Sequence, residues 1–425
     1  MKVMTGKITI FCLLLCFCFH CTVVFALDDP NYRNAAIKDV NFYQPSADTN
    51  SYPIISGNKV KNVILLIGDG MGIGIIASAR IKAATPDGLL YMERLPVVGI
   101  VKNHSANALI PDSAAAATAL ATGLKTNNGM IGLTPDGCEY KTILEAARDN
   151  GFKTGLVVTS TITHATPAPF ASHVTSRNNE AGIAEQLIAN KVNVLFGGGR
   201  QFFLPQSTPG SRRKDNKSLI KQAKDAGYTY IQDANSLKTA KGKFILGLFQ
   251  LGHLTTQKPE PTLAELTQKA IEVLGETQKK PFLEDSNAFN IITLGLFDKD
   301  RGFFLMVEGS QIDFAAHLDN LDETIRQTLL FDEAVEQAVD FALKDRQTLV
   351  IVTADHDTGG PTITGGDLTG KRLNVKWTSK DHTGLPVILY AFGPAARNFS
   401  GTYDNTDIPK KIANILHIKL PVQLK

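Results

Sequence analysis

"NVILLIGDGMG", residues 62–72, sets five large aliphatic side chains, Val63 to Ile67, between Asn62 and a glycine-rich turn that carries Asp69. A short apolar run closed by such a turn reads as a buried strand, because a strand covered on both faces has no polar side to alternate with. Five comparable runs come later in the chain: "KTGLVVTS" (153–160), "VNVLFGGG" (192–199), "GFFLMVEG" (302–309), "TLVIVTADH" (348–356) and "PVILYAFGP" (386–394). Helical patterns lie between them. Residues 320–345 place Leu321, Ile325, Leu329, Val335 and Val339 at helical spacing, which predicts a helix with one packing face. This alternation predicts an α/β fold built on a largely parallel sheet. No internal repeat and no break in composition marks a second domain.

With 425 residues, 43% apolar and 20% charged, the chain is globular, and its composition excludes disordered, fibrous and polytopic membrane classes. Residues 1–26 stand apart. Lys2 and Lys7 precede "ITIFCLLLCFCFHCTVVFA", which ends in Val24-Phe25-Ala26, and we read this as a signal peptide that sends the protein to the periplasm or the cell exterior. The competing reading is a retained anchor, since the run approaches the roughly 20 residues that a span needs. Cleavage removes two lysines and no acid, so the formal charge falls from +3 to +1 and no nucleic-acid partner is expected. It also removes Cys12, Cys16, Cys18 and Cys21, leaving Cys138 without a partner for an internal disulfide. Stability must then come from the core and from bound ions, which directs attention to metal ligands.

Open α/β sheets hold ligands beyond the carboxyl ends of their strands. Asp69 comes after the first run and Glu308 ends the fourth; "GSQIDFAAH" then spaces Asp313 and His317 four apart, on one face if helical. Asp355 and His356 close the fifth run, and "DHTG" adds His382. Such carboxylates and imidazoles are the oxygen and nitrogen ligands that zinc accepts. Each pair alone is commonplace on a solvated surface, and only their recurrence at successive strand ends carries weight. His104, His173, His253 and His417 lack this context and read as surface or packing residues; His20 falls in the leader. Arg212, Arg213, Lys214 and Lys217 in "PQSTPGSRRKDNKS" read as a solvated loop. Asp112 and Ser113 open the alanine-rich "PDSAAAATAL", where either could cap a helix whose N-terminus favours anions.

The ordered motifs "GDGMG", "PDSAAAATAL", "THATPAPFASHVTSR", "VEGSQIDFAAH", "TADH" and "DHTG" resemble those of the alkaline phosphatase family from about residue 60 to 416. The resemblance implies a three-layer sandwich, a large and mostly parallel central sheet flanked by helices, with a catalytic domain over 60–425 preceded by an extension at 27–59. It implies hydrolysis of small phosphate monoesters through a phosphoserine on Ser113. Asp313, His317 and His382 would hold one zinc, and Asp69, Asp355 and His356 a second. Asp69, Thr166 and Glu308 would hold a magnesium, an oxygen-rich set suited to that ion. Arg177, eleven residues after Thr166, would grip the phosphoryl group, with Asp112 and His164 beside the site. His164 stands where many members carry an acid or a histidine, and Phe314 where they carry a lysine or a histidine. An aromatic ring at 314 cannot relay a water-mediated contact to phosphate, so affinity should rest on Arg177 and the metals. The short stretch between His356 and His382 leaves no room for the large inserted domain of some relatives, which marks a compact, bacterial-type member. The family favours a homodimer, while a chain this short also admits a monomer; no stable membrane association is expected after cleavage. Competing readings are a phosphodiesterase or nucleotide pyrophosphatase of the same superfamily, a sulfatase, and an exported metal- or phosphate-binding protein without turnover.

Overall fold

A computed structural model of the chain describes residues 32–36, 40–276 and 301–424; the leader assigned to residues 1–26 lies outside them. Ten strands form the central sheet. Across it they run Gly401–Asp404, Val97–Lys102, Val387–Phe392, Thr348–Ala354, Asn62–Gly68, Phe303–Gly309, Lys153–Thr161, Val194–Gly198, Phe244–Leu248 and Tyr228–Ile231. All are parallel except Val387–Phe392, which pairs antiparallel with both neighbours. In Asn62–Gly68, Phe303–Gly309 and Thr348–Ala354 every residue is buried, which explains why these read as unbroken apolar runs. Nearer the edge, Val97–Lys102 alternates buried and exposed positions, as a strand covered on one face must.

Helices form the two outer layers. On one side the long helix Leu321–Asp345 packs on Leu263–Gly275, Ile73–Ala84 and Gln311–His317. On the other side Ser113–Thr122, Ile143–Asp149 and Asp407–Leu416 pack together. The long helix starts at Asn320, whose side chain accepts from the Glu323 N–H, and stops at Arg346 in the left-handed region. Its Asp332 is fully buried and accepts from the Tyr43 hydroxyl (2.5 Å) and the Tyr91 and Met92 amides (2.8 and 2.9 Å). That carboxyl therefore ties residues 40–43 and the turn before Val97–Lys102 to the helical layer, and burial pushes it up to about 7.

The run at 386–394 forms a strand that runs against the others, in a sheet that is otherwise parallel. One reading from the sequence differs from the structure. Arg213 is not a solvated side chain but is 1% exposed, its guanidinium bonded to Asp215, Glu185 and the Ala181 and Phe202 carbonyls.

Candidate active site

Four adjacent parallel strands, Thr348–Ala354, Asn62–Gly68, Phe303–Gly309 and Lys153–Thr161, end at the same edge of the sheet. Chain direction alone therefore gathers the residues at and just past those ends: Asp355 and His356, Asp69, Glu308 and Asp313, and His164 with Thr166. Asp69, Asp355, His356, Glu308 and Thr166 are all buried.

Three groups of ligand-type atoms converge there. Asp313 lies one helical turn before His317, and its Oδ1 is 3.3 Å from His317 Nε2 and 3.5 Å from His382 Nε2, while the two imidazole Nε2 atoms are 3.2 Å apart. The opposite nitrogens are engaged: His317 Nδ1 is 2.6 Å from the Lys380 carbonyl and His382 Nδ1 is 2.8 Å from the Pro111 carbonyl. A carbonyl only accepts, so both Nδ1 atoms donate and Nε2 is the atom each ring turns to Asp313, the nitrogen that would bind a metal once it gives up any proton. In the second group His356 Nε2 is 3.4 Å from Asp69 Oδ1 and 3.3 Å from Asp355 Oδ2. Asp69, Glu308 and His164 form the third. Thr166 donates to Asp69 Oδ2 at 3.4 Å.

The electrostatics fit cations. Asp69 Oδ1, Asp355 Oδ2, Glu308 Oε1 and His164 Nδ1 are buried without a hydrogen-bond partner. Burial and the neighbouring carboxylates push Asp69 well up, burial pushes Glu308 up to about 8, and burial with Asp313 nearby raises Asp355 to about 6. Burial alone would raise Asp313, but His317 and His382 hold it well below the usual carboxylate range. Crowded, unsatisfied buried carboxylates are costly unless protonated or neutralised by positive charge, and divalent ions among these oxygen and nitrogen donors would neutralise them. In the third group His164 stands beside these oxygen donors, within ligand reach of Asp69 and Glu308.

Ser113 opens the helix Ser113–Thr122 but does not cap it. The cap is Asp112, in extended backbone, whose Oδ1 accepts from Ala115 N–H at 2.9 Å. Asp112 Oδ2 accepts from Gly129 N–H (3.0 Å) and from Arg177 Nη1 (3.1 Å). Ser113 Oγ is thereby free of cap duty, and it lies 3.3 Å from His356 Nε2. The helix is buried at all ten positions, its alanines letting it pack closely against Asp407–Leu416 and the turn Ala168–Phe170. Arg177 Nη2 reaches 3.4 Å from His164 Nε2, so the guanidinium lies between Asp112 and His164.

Two further residues belong to the site and carried no motif. Thr358 donates to Asp313 Oδ1 at 2.5 Å and stands 3.3 Å from His356 Nδ1, linking two of the groups. His253 packs edge-on against Phe314 and His164, with centroids 4.9 and 5.7 Å away. No local signal marks either one: His253 comes from the loop after Phe244–Leu248, and Thr358 is one more hydroxyl in a polar turn. The remaining histidines have structural roles, His173 against Glu145, His104 against Asp404 and His417 at a helix end.

The sequence model of the alkaline phosphatase family matches residues 60–373 and 367–418. Alkaline phosphatase 3 of Bacillus subtilis is 33% identical, over 87% of this chain and 91% of its own length. The alkaline phosphatase of Escherichia coli K12 is 34% identical over 83% of this chain and 85% of its own. The solved alkaline phosphatase from the Antarctic bacterium TAB5 superposes with a TM-score of 0.72 at 31% identity, covering 85% of this chain and 99% of that one. A match through most of the chain, to relatives that share both its length and a third of its residues, means that the chain belongs to the alkaline phosphatase family of enzymes.

Proposed function

We propose that the protein hydrolyses phosphate monoesters through a phosphoserine on Ser113, with two zinc ions and one magnesium as cofactors. The observation that carries this is Ser113 itself, a hydroxyl at a helix start with no capping role, 3.3 Å from an imidazole of a buried aspartate–histidine group. Asp313, His317 and His382 would hold one zinc, Asp69, Asp355 and His356 the other, and Asp69, Glu308 and Thr166, with His164 close by, the magnesium. Bound there, the ions supply Lewis acidity that eases deprotonation of hydroxyl and water and offsets charge on the apical oxygens.

The residues do the rest. Ser113 Oγ attacks phosphorus as the ester P–O bond breaks, and the alcohol leaves with its oxygen. Arg177 offers a planar fork to two nonbridging oxygens, and Asp112 fixes the orientation of that fork. The first N–H groups of the helix favour the negative charge that Ser113 then carries. Water attacks the phosphoserine, releasing inorganic phosphate and restoring the hydroxyl. Gripping mainly the phosphoryl group leaves the alcohol free to vary, which supports broad specificity.

Residues 1–26 support export as a cleaved leader; among the described residues no helix is long and apolar enough to cross a membrane. The test is turnover of a chromogenic phosphomonoester at alkaline pH, abolished by a chelator and restored by zinc plus magnesium. Faster hydrolysis of the matching diester would make the protein a phosphodiesterase. Phosphate binding without turnover would make it a binding protein.

A further inference from the structure

We propose that His253 is a substrate-binding residue whose Nε2–H donates to an oxygen of the phosphoryl group, directly or through one water. The inference rests on the phosphomonoesterase reading and adds a donor to it. His253 Nδ1 accepts from the Thr161 backbone N–H at 3.0 Å, at the carboxyl end of Lys153–Thr161. An N–H can only donate, so Nδ1 is unprotonated and Nε2 carries the proton. With Nδ1 turned to the strand end, Nε2–H points away from it.

The ring is held there from several directions. Phe314 and His164 pack against it and against each other, with centroids 5.5 Å apart in the last pair. The backbone around it is fixed as well: Leu254 N–H donates to the Thr159 carbonyl at 3.0 Å, and Gly199 N–H to the Gly252 carbonyl at 2.7 Å. Gly198 allows this approach, since a Cβ there would lie 2.0 Å from the Gly252 oxygen. His253 is nonetheless exposed, whereas a ring serving only to fill space would be covered. It touches the imidazole that contacts Arg177, so its ring stands one residue away from the arginine fork that would hold phosphate. A ring at 314 supplies no donor of its own, but it props up a neighbour that does.

The metal-loaded enzyme and two variants test this, with steady-state kinetics on a chromogenic monoester and calorimetric titration of inorganic phosphate. His253→Phe keeps an aromatic ring and removes the donor; KM and the phosphate Kd should each rise roughly tenfold, with kcat changed by less than about threefold. His253→Gln keeps a donor and should stay within about threefold of the parent in both constants. Metal content and urea midpoint should match the parent in both. Parent-like constants in His253→Phe overturn the inference, and so does an equal loss in both variants, which would make the ring a packing element. A parent enzyme that binds phosphate but never turns over a monoester would instead refute the underlying reading.

Discussion

Asp112 and Ser113 are neighbours with separable duties, and paired substitutions should pull stability and activity apart. Replacing Asp112 with Ala removes the cap on Ala115 N–H, about 1 kcal/mol. It also removes the acceptor of Gly129 N–H, again about 1 kcal/mol. The Arg177 contact adds less than about 1 kcal/mol, since both partners are part-exposed at 28% and 21%. Asp112→Ala should therefore lose about 2–3 kcal/mol, allowing for non-additivity among contacts that share one carboxylate. Ser113→Ala touches none of these bonds, and alanine is the better helix former, so its stability should stay within about 0.5 kcal/mol. Activity should show the reverse. Ser113→Ala should lose at least about a thousandfold in kcat, as expected for a nucleophile. Asp112→Asn keeps a competent cap and should recover most of the stability while leaving Arg177 without its anion. Urea unfolding of the metal-free proteins keeps metal affinity out of the comparison, and phosphomonoester turnover after reloading gives the second axis. Ser113→Ala that keeps its turnover, or that unfolds as easily as Asp112→Ala, would refute the assignment of the cap to one residue and the nucleophile to the other.

Three other outcomes are expected. The Asp313 carboxylate raises His317 to about 9 in the metal-free protein, so that histidine holds a proton at neutral pH which a metal must displace. Apparent zinc affinity should therefore strengthen as pH rises from 7 toward 9, with proton release visible as a buffer-dependent heat of binding; pH-independent affinity would argue against His317 as a ligand. Thr358→Val removes the hydroxyl between Asp313 and His356 at nearly constant shape and should weaken zinc binding roughly 10-fold or more, as read by competition with a chelating dye. Arg213→Ala strips the Ala181 and Phe202 carbonyls of a donor and should cost about 2–3 kcal/mol in urea unfolding without changing kcat; a shift below about 0.5 kcal/mol would return Arg213 to the solvated surface.

Burial decides which parts of the fold are legible in the sequence. Asn62–Gly68, Phe303–Gly309 and Thr348–Ala354 are covered on both faces, and total burial writes an unbroken apolar run. Tyr228–Ile231 and Gly401–Asp404, short and at the sheet edges, write no such run. The reversal of Val387–Phe392 is illegible for a different reason: side-chain polarity records which faces are covered, and direction leaves no trace in it. In the site, residues at strand ends could be read because topology places them together. His253 and Thr358 reach it by tertiary contact from unremarkable loops, and Arg213 looked solvated because its sequence neighbours are. Its burial depends on Glu185, 28 positions earlier.

The four strands that carry the candidate site are all interior to the sheet, with at least three strands between them and either edge. Partial openings begin at edges and ends, where few contacts must be broken, and their free energies lie well below that of global unfolding. Amides of Asn62–Gly68 and Phe303–Gly309 should therefore exchange with deuterium only when the whole domain opens, while those of Tyr228–Ile231 exchange through local fraying. The geometry that sets the chemistry is thus insulated from the breathing of the margins. Warming should erode the edges first and leave the reactive centre intact until the cooperative transition itself.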